Sequence, residues 1–315
     1  MTSAARQLRP APRQAQLRLA TGILCGTCAA LIWAGGAVVS RHLVTHHLSP
    51  LELTLLRYLG CLPVALTALL WCRSETWRGL SASRILILIL LAGPLYQLVV
   101  VSGYLYAGAG SGTLLITGLL PIFSLLLAIS RGGCGPGRRY LLAIATITTG
   151  LILLWQASQH HGSSASNPAW QAWLLFSVAA LAWASLNHLV ETWQVDSFGL
   201  SVILGLTAPL LLPALFMMEN LNLRFDAPAA DFLIQIAYHG VLVPFLATSL
   251  FFAAVKHAGA QLAAALQALS PALAVTLGVV VLNEQLTLWT AIAAAILLSG
   301  ILAATSAASR TPARS

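Results

Sequence analysis

Along this chain, long apolar runs alternate with short polar or turn-rich interruptions. Ten runs stand out: 19–41, 51–72, 84–106, 112–130, 138–156, 169–191, 197–219, 230–255, 260–282 and 287–306. A hydrocarbon layer about 30 Å thick is crossed by about 20 apolar residues in a helix, so each run predicts one transmembrane span. The stretches SRGGCGPGRR, QHHGSSASNP and ENLNLRFDAP separate some runs, and the brief GAGSG separates two others. In lipid the backbone must satisfy its own polar groups, which a helix does within one segment. The pattern therefore predicts an all-α integral membrane protein with ten transmembrane helices.

A shift of 150 residues superimposes the chain on itself. AALIWA at 29–34 falls on AALAWA at 179–184, so Trp33 meets Trp183. Pro63 meets Pro213, Pro94 meets Pro244, Pro121 meets Pro271, and Gly150 meets Gly300. Proline is only 14 of 315 residues, so three matches at one offset mark a true internal repeat. The repeat holds five helices. Five is odd, so the second copy is expected to enter the membrane the other way up. The expected organisation is a basic tail (1–18), a first five-helix unit (19–156), an outer linker (157–168), a second unit (169–306) and a tail (307–315).

Composition supports lipid as the main solvent. Only 8% of residues are charged and 58% are hydrophobic, where a soluble domain carries about 25% charged residues. The net charge of +8 comes in short clusters between apolar runs. That placement argues for topology signals and against nucleic acid as a partner. With the N-terminus inside, 13 of the 16 basic residues fall on the inner side, leaving Arg41, Arg57 and Arg224 outside. Both termini are thus expected to be cytoplasmic, in a bacterial inner membrane. The first apolar run is too long for a signal peptide core, so it is read as a retained helix, although the basic, acid-free tail also has a transit-peptide composition. Five cysteines without regular spacing do not make a disulfide framework.

Candidate chemistry is sparse. The single lysine, Lys256, follows no phosphate-binding loop, so an ATP-driven motor is not expected. GAGSG reads as a tight turn, and Cys25-Gly-Thr-Cys28 as two small packing residues inside the first span. His46-His47 and His160-His161 read as loop residues. No metal site, cofactor or catalytic constellation is expected. All eight acids map to loops or span ends, so no mid-membrane carboxylate is available for proton coupling. Arg57, two turns inside the second span, is the clearest buried charge. It reads as an anchor, to Glu52 or to helix-end carbonyls, or as a contact for an anion.

Several spans carry polar or aromatic residues at helical spacing. These are Trp33; Tyr96, Gln97 and Tyr104; Trp183 and Asn187; Gln235, Tyr238, His239 and Ser249; and Gln267 with Ser270 and Pro271. Polar groups facing lipid would be unsatisfied, so these faces should look inward. Each residue serves equally for helix-to-helix hydrogen bonding, but the set, present on both halves, predicts a cavity. Its expected lining is Trp33, Tyr96, Gln97, Tyr104, Trp183, Asn187, Tyr238, His239 and Gln267. Pro121 and Pro271 are expected to kink matching helices.

These segments resemble the EamA-type transporters of the drug/metabolite transporter superfamily over roughly residues 19–306. The resemblance is carried by ALIWAGGAVVSRHL, SPLELTLLRY around Arg57, GTLLITGLLPIFSLLLA around Pro121 and AALQALSPALAVTLGVVVLNEQLT around Pro271. LILL after Gly150 and ILAA after Gly300 close the two halves. It implies ten helices in two inverted repeats around a central cavity, and carriage of small metabolites. The chain departs from the family at its usual Gly-Glu pair. In the first half SRGGCGPGRR stands there, with Cys134 at the position matching Glu284. In the second half Asn283-Glu284 keeps the acid but not the glycine.

The expected function is secondary transport of a small metabolite by alternating access, without enzymatic activity. The alternatives are an intramembrane enzyme, which would need a catalytic cluster, and a non-transporting sensor or assembly protein, which would favour a soluble domain. Lipid flipping is a variant of the first reading. The expected partners are a small-molecule substrate and the bilayer. A homodimer is compatible, because lipid-facing and partner-facing surfaces read alike.

Overall fold

Helix α1 runs over Pro12–His46 and α2 over Pro50–Trp71, joined by a short turn. In the computed structural model, residues 12–71, 80–131, 137–161, 169–211, 213, 217, 223 and 225–308 are described. Cys72, Cys134 and basic residues 6, 9, 73, 78, 224, 310 and 314 lie outside them. Helices α3 (Ala82–Ala92) and α4 (Pro94–Gly103) together form the third run. Their break has a local cause. Pro94 has no N–H to give, and a Cβ on Gly93 would lie 2.3 Å from the Ile89 carbonyl oxygen. Helices α5 (Ala109–Ser130) and α6 (Arg138–His161) complete the first half.

The second half opens with α7 (Ala169–Trp193), then α8 (Ser197–Gly205) and a 3₁₀ turn over Ala208–Leu211. Asp196 caps α8 by accepting from Gly199 N at 2.8 Å. Next come α9 (Ala229–Ala237), a π-helical segment (Tyr238–Ala247) and α10 (Thr248–Ala258), one continuous helical stretch. Helices α11 (Ala260–Gln267) and α12 (Ser270–Leu282) form the ninth run, and α13 (Leu288–Ala308) the last. Asn283, at φ 53°, ends α12 in the left-handed region. No strand occurs among the described residues.

Nine helical stretches among the described residues are long and apolar enough to span a membrane, with a shorter apolar helix at Phe198–Leu211. The seventh predicted span is therefore seen only as this shorter piece, because much of 212–224 is outside the described residues. His160 and His161, expected in a loop, stand in the last turn of α6. The perimeter is apolar, with Leu24, Leu70, Val280 and Leu288 at least 65% exposed. Buried threonines and those facing outward alike turn their hydroxyls back to the carbonyl four residues earlier, as at Thr54, Thr113, Thr146 and Thr276. That contact satisfies a hydroxyl where no water can.

The 150-residue shift is visible in the packing. α6 lies along α13, and two glycines make the close approach. A Cβ on Gly150 would meet Leu297, at 2.6 Å from its Cγ. A Cβ on Gly300 would meet Ile147, at 2.7 Å from its Cγ1. Gly150 and Gly300 are 150 apart, and so are Ile147 and Leu297. The same exchange relates other pairs: α1 touches α10 and α12, and α7 touches α4 and α5. The two halves thus embrace each other rather than packing as separate bundles.

Candidate functional site

A cavity of about 510 Å³ lies between the halves, within the usual range of ligand pockets, about 300–1,000 Å³. From α1 its wall takes Trp33, Gly36, Ala37 and Ser40. From α7 it takes Trp183, Leu186, Asn187 and Val190. These are the same four positions, 150 residues apart. They sit at i, i+3, i+4 and i+7, one helical face in each repeat. Thr117 on α5 and Gln267 on α11 repeat the relation, as do Leu120 and Ser270.

The repeat-related prolines act just beyond these residues. A proline removes the donor to the carbonyl four residues before it. Pro121 thus withholds it from Thr117, and Pro271 from Gln267. Pro121 remains inside the continuous α5, where Tyr140 Oη donates to its carbonyl at 3.2 Å. Pro271 sits in the first turn of α12, directly after the turn at Ala268 and Leu269 that interrupts the ninth span.

Eight of the nine residues expected to line the cavity do so: Trp33, Tyr96, Gln97, Tyr104, Trp183, Asn187, His239 and Gln267. The aromatic wall is built in pairs. Tyr96 lies against Trp183 with ring centroids 5.5 Å apart, and Trp33 lies 5.7 Å from Phe251. Asn187 and Gln267 are exposed to the cavity, and their amides make no hydrogen bond among the described residues.

The exception is Tyr238. Its hydroxyl donates to the Ile32 carbonyl at 3.0 Å and presses on Gly35, so it ties the π-helical segment to α1. Gln235, from the same stripe, donates to the Leu53 carbonyl on α2 at 2.8 Å. Only His239 of that stripe reaches the cavity, with Nε2 3.0 Å from the Gly36 carbonyl and 3.1 Å from Ser40 Oγ. Residues at i, i+3 and i+4 spread over about 100° of a helix, enough to meet α2, α1 and the cavity at once. The π-helical segment Tyr238–Ala247, which contains Pro244, then carries later residues out of the 3.6-residue register. Thr248 lines the wall where Ser249 was expected on the face.

Arg57 also lines the cavity. It is not anchored to Glu52. The Glu52 carboxylate accepts from Ser49 N and Phe225 N, both at 2.7 Å. An arginine at the centre of a lipid-exposed helix costs about 2.5–3.5 kcal/mol. Facing a polar cavity, Arg57 avoids that cost. Sequence inspection alone did not single out Thr113, Thr117, Ser201, Thr248 or Cys61, which also line the wall. Small hydroxyls and thiols inside spans are too common to signal a cavity.

The lining runs unevenly between the two ends of the bundle. Toward the α7–α8 connection it reaches Val190 and Leu200, about one turn from that connection. Toward the α1–α2 turn it stops near Ser40, Tyr104 and Thr113. Above them Glu284 accepts from Ala109 N at 2.9 Å and pairs with Arg41 at 3.7 Å, while Arg41 also donates to the Tyr104 carbonyl. His47 and Asp231, 3.5 Å apart, add a second cross-link at this end.

A family model for EamA-like transporters matches residues 20–156 and again residues 169–306. The chain belongs to the EamA-like transporter family. Membership makes it an integral membrane protein of the drug/metabolite transporter superfamily. A solved structure titled only "Crystal structure of protein" shares 20% identity with a TM-score of 0.57, over 92% of this chain and 99% of that one. At that identity the likeness concerns the fold. No curated protein matches the chain.

Proposed function

We propose that this EamA-like protein is a secondary transporter that moves a small metabolite through the central cavity by alternating access. The observation that carries the reading is the cavity wall built from matching positions of both repeats. Such a wall lets one half rock against the other around a fixed site. Trp33 and Trp183 would clasp an apolar or planar part of the substrate. The unpaired amides of Asn187 and Gln267 would orient its polar end.

In this reading the chain forms ten spans as two inverted five-helix repeats. Both termini face the cytoplasm of a bacterial inner membrane, as the basic residues predict. The conformation seen would then be shut at the outer end by Arg41, Glu284 and Ala109, with the cavity reaching toward the inner end. The chemistry is carriage, with no bond made or broken.

Counterflow in vesicles containing the purified full-length protein tests the reading. A panel of metabolites is preloaded, and exchange is measured with and without a proton gradient. Saturable, cavity-dependent exchange of at least one compound is the expected result. Binding without flux for every compound would instead support a sensor.

A further inference from the structure

Among the described residues the cavity wall contains one guanidinium, Arg57, and no carboxylate. Arg57 has no carboxylate within ion-pair distance among the described residues. Arg41, nearer the α1–α2 turn, is by contrast paired with Glu284. Arg57 lies near the Tyr58 hydroxyl and within electrostatic range of Tyr96 and His239, so its charge acts on the cavity interior. The repeat-related position is Thr207, which does not line the cavity. The charge therefore breaks the symmetry of an otherwise matched site and gives it one electropositive side.

Resting on the transporter reading, we propose that the substrate is an organic monoanion: a carboxylate held by Arg57 on an apolar or planar body held by the Tyr96–Trp183 wall. A cation in a low-dielectric cavity without a counter-charge disfavours cationic ligands and favours anionic ones. A single guanidinium matches a carboxylate in a bidentate fork. A phosphate monoester carries nearly two charges and asks for further cations, which the wall does not offer. Neutral amides elsewhere on the lining, Asn187 and Gln267, suit additional polar groups without adding charge.

The test uses one body in four charge states: phenylacetate, phenylacetamide, phenethylamine and phenyl phosphate. Binding to the full-length protein in phosphatidylcholine vesicles is measured by calorimetry, and flux is measured with labelled probes above the leak of protein-free vesicles. Phenylacetate is expected to bind about 10- to 100-fold more tightly than its amide, the scale of a charge-assisted hydrogen bond. Arg57→Gln should abolish that margin, and Arg57→Lys should keep part of it. The comparison among the four probes in the unmodified protein stands even if a variant fails to fold. Tightest binding by the amine, amide or phosphate, no binding of phenylacetate, or an unchanged margin in Arg57→Gln would overturn the proposal. Displacement of phenylacetate by added phosphatidylglycerol would assign the site to a lipid headgroup and overturn it too. Arg57-dependent binding without flux would sink the transporter reading and leave the anion site standing. Flux of the amide or amine, equal in Arg57→Gln, would do the reverse.

Discussion

Trp33 and Tyr238 illustrate how two aromatic residues facing the same helix interface divide their work. Trp33 presents its ring to the cavity, whereas Tyr238 spends its hydroxyl on the Ile32 carbonyl. Trp33→Ala or Trp183→Ala should lower flux about tenfold or more, because a buried tryptophan offers the largest contact area of any side chain. The amount of protein in the membrane should not change. Normal flux in both variants would remove them from the site. Tyr238→Phe should behave in the opposite way. It should cost about 1 kcal/mol of stability, one net hydrogen bond, while flux persists. Melting in detergent and counterflow, run side by side, separate the two roles.

Among the elements, the α6–α13 pair shows what a glycine at a crossing does. Gly150 and Gly300 let the two backbones meet, and a Cβ at either would come within 3.0 Å of a backbone nitrogen of the partner helix. Backbone cannot swing aside as a side chain can. Gly300→Ala should therefore destabilise the protein by about 1–3 kcal/mol, the range of overpacking, and Gly150→Ala should do the same. Equal effects at the two positions would follow from the repeat symmetry. A melting temperature unchanged in both would contradict the crossing. Gln235, Tyr238 and His239 stand at helical spacing, yet they go to α2, α1 and the cavity respectively.

For the molecule as a whole, the uneven reach of the cavity sets a testable expectation. Glu284 joins α1, the start of α5 and the end of α12 at one end of the bundle. Glu284→Ala should leave Ala109 N–H without its acceptor and Arg41 without its counter-charge, and so loosen that end. A cysteine placed at Thr113, one turn inside Ala109, should then react faster with an impermeant thiol reagent applied from that side. An unchanged rate would show that the contacts do not hold the end shut. Cysteines placed near the two termini should be labelled from one and the same side, as the proposed ten spans require.

The apolar runs, the 150-residue offset and most of the cavity-facing aromatics were legible in the sequence. Hydrophobic length and helical spacing are local properties, and lipid enforces them segment by segment. The break at Gly93–Pro94 could be read only as a pair of disruptive residues. The partners of Glu52, Tyr238 and Glu284 lie 173, 206 and 175 residues away in the chain, beyond any spacing rule. The sequence by itself determined which segments enter the membrane and that they come in two related sets. Only the tertiary structure decided which polar groups are spent on neighbouring helices and which are left facing the cavity, because that depends on what each side chain meets across the interface.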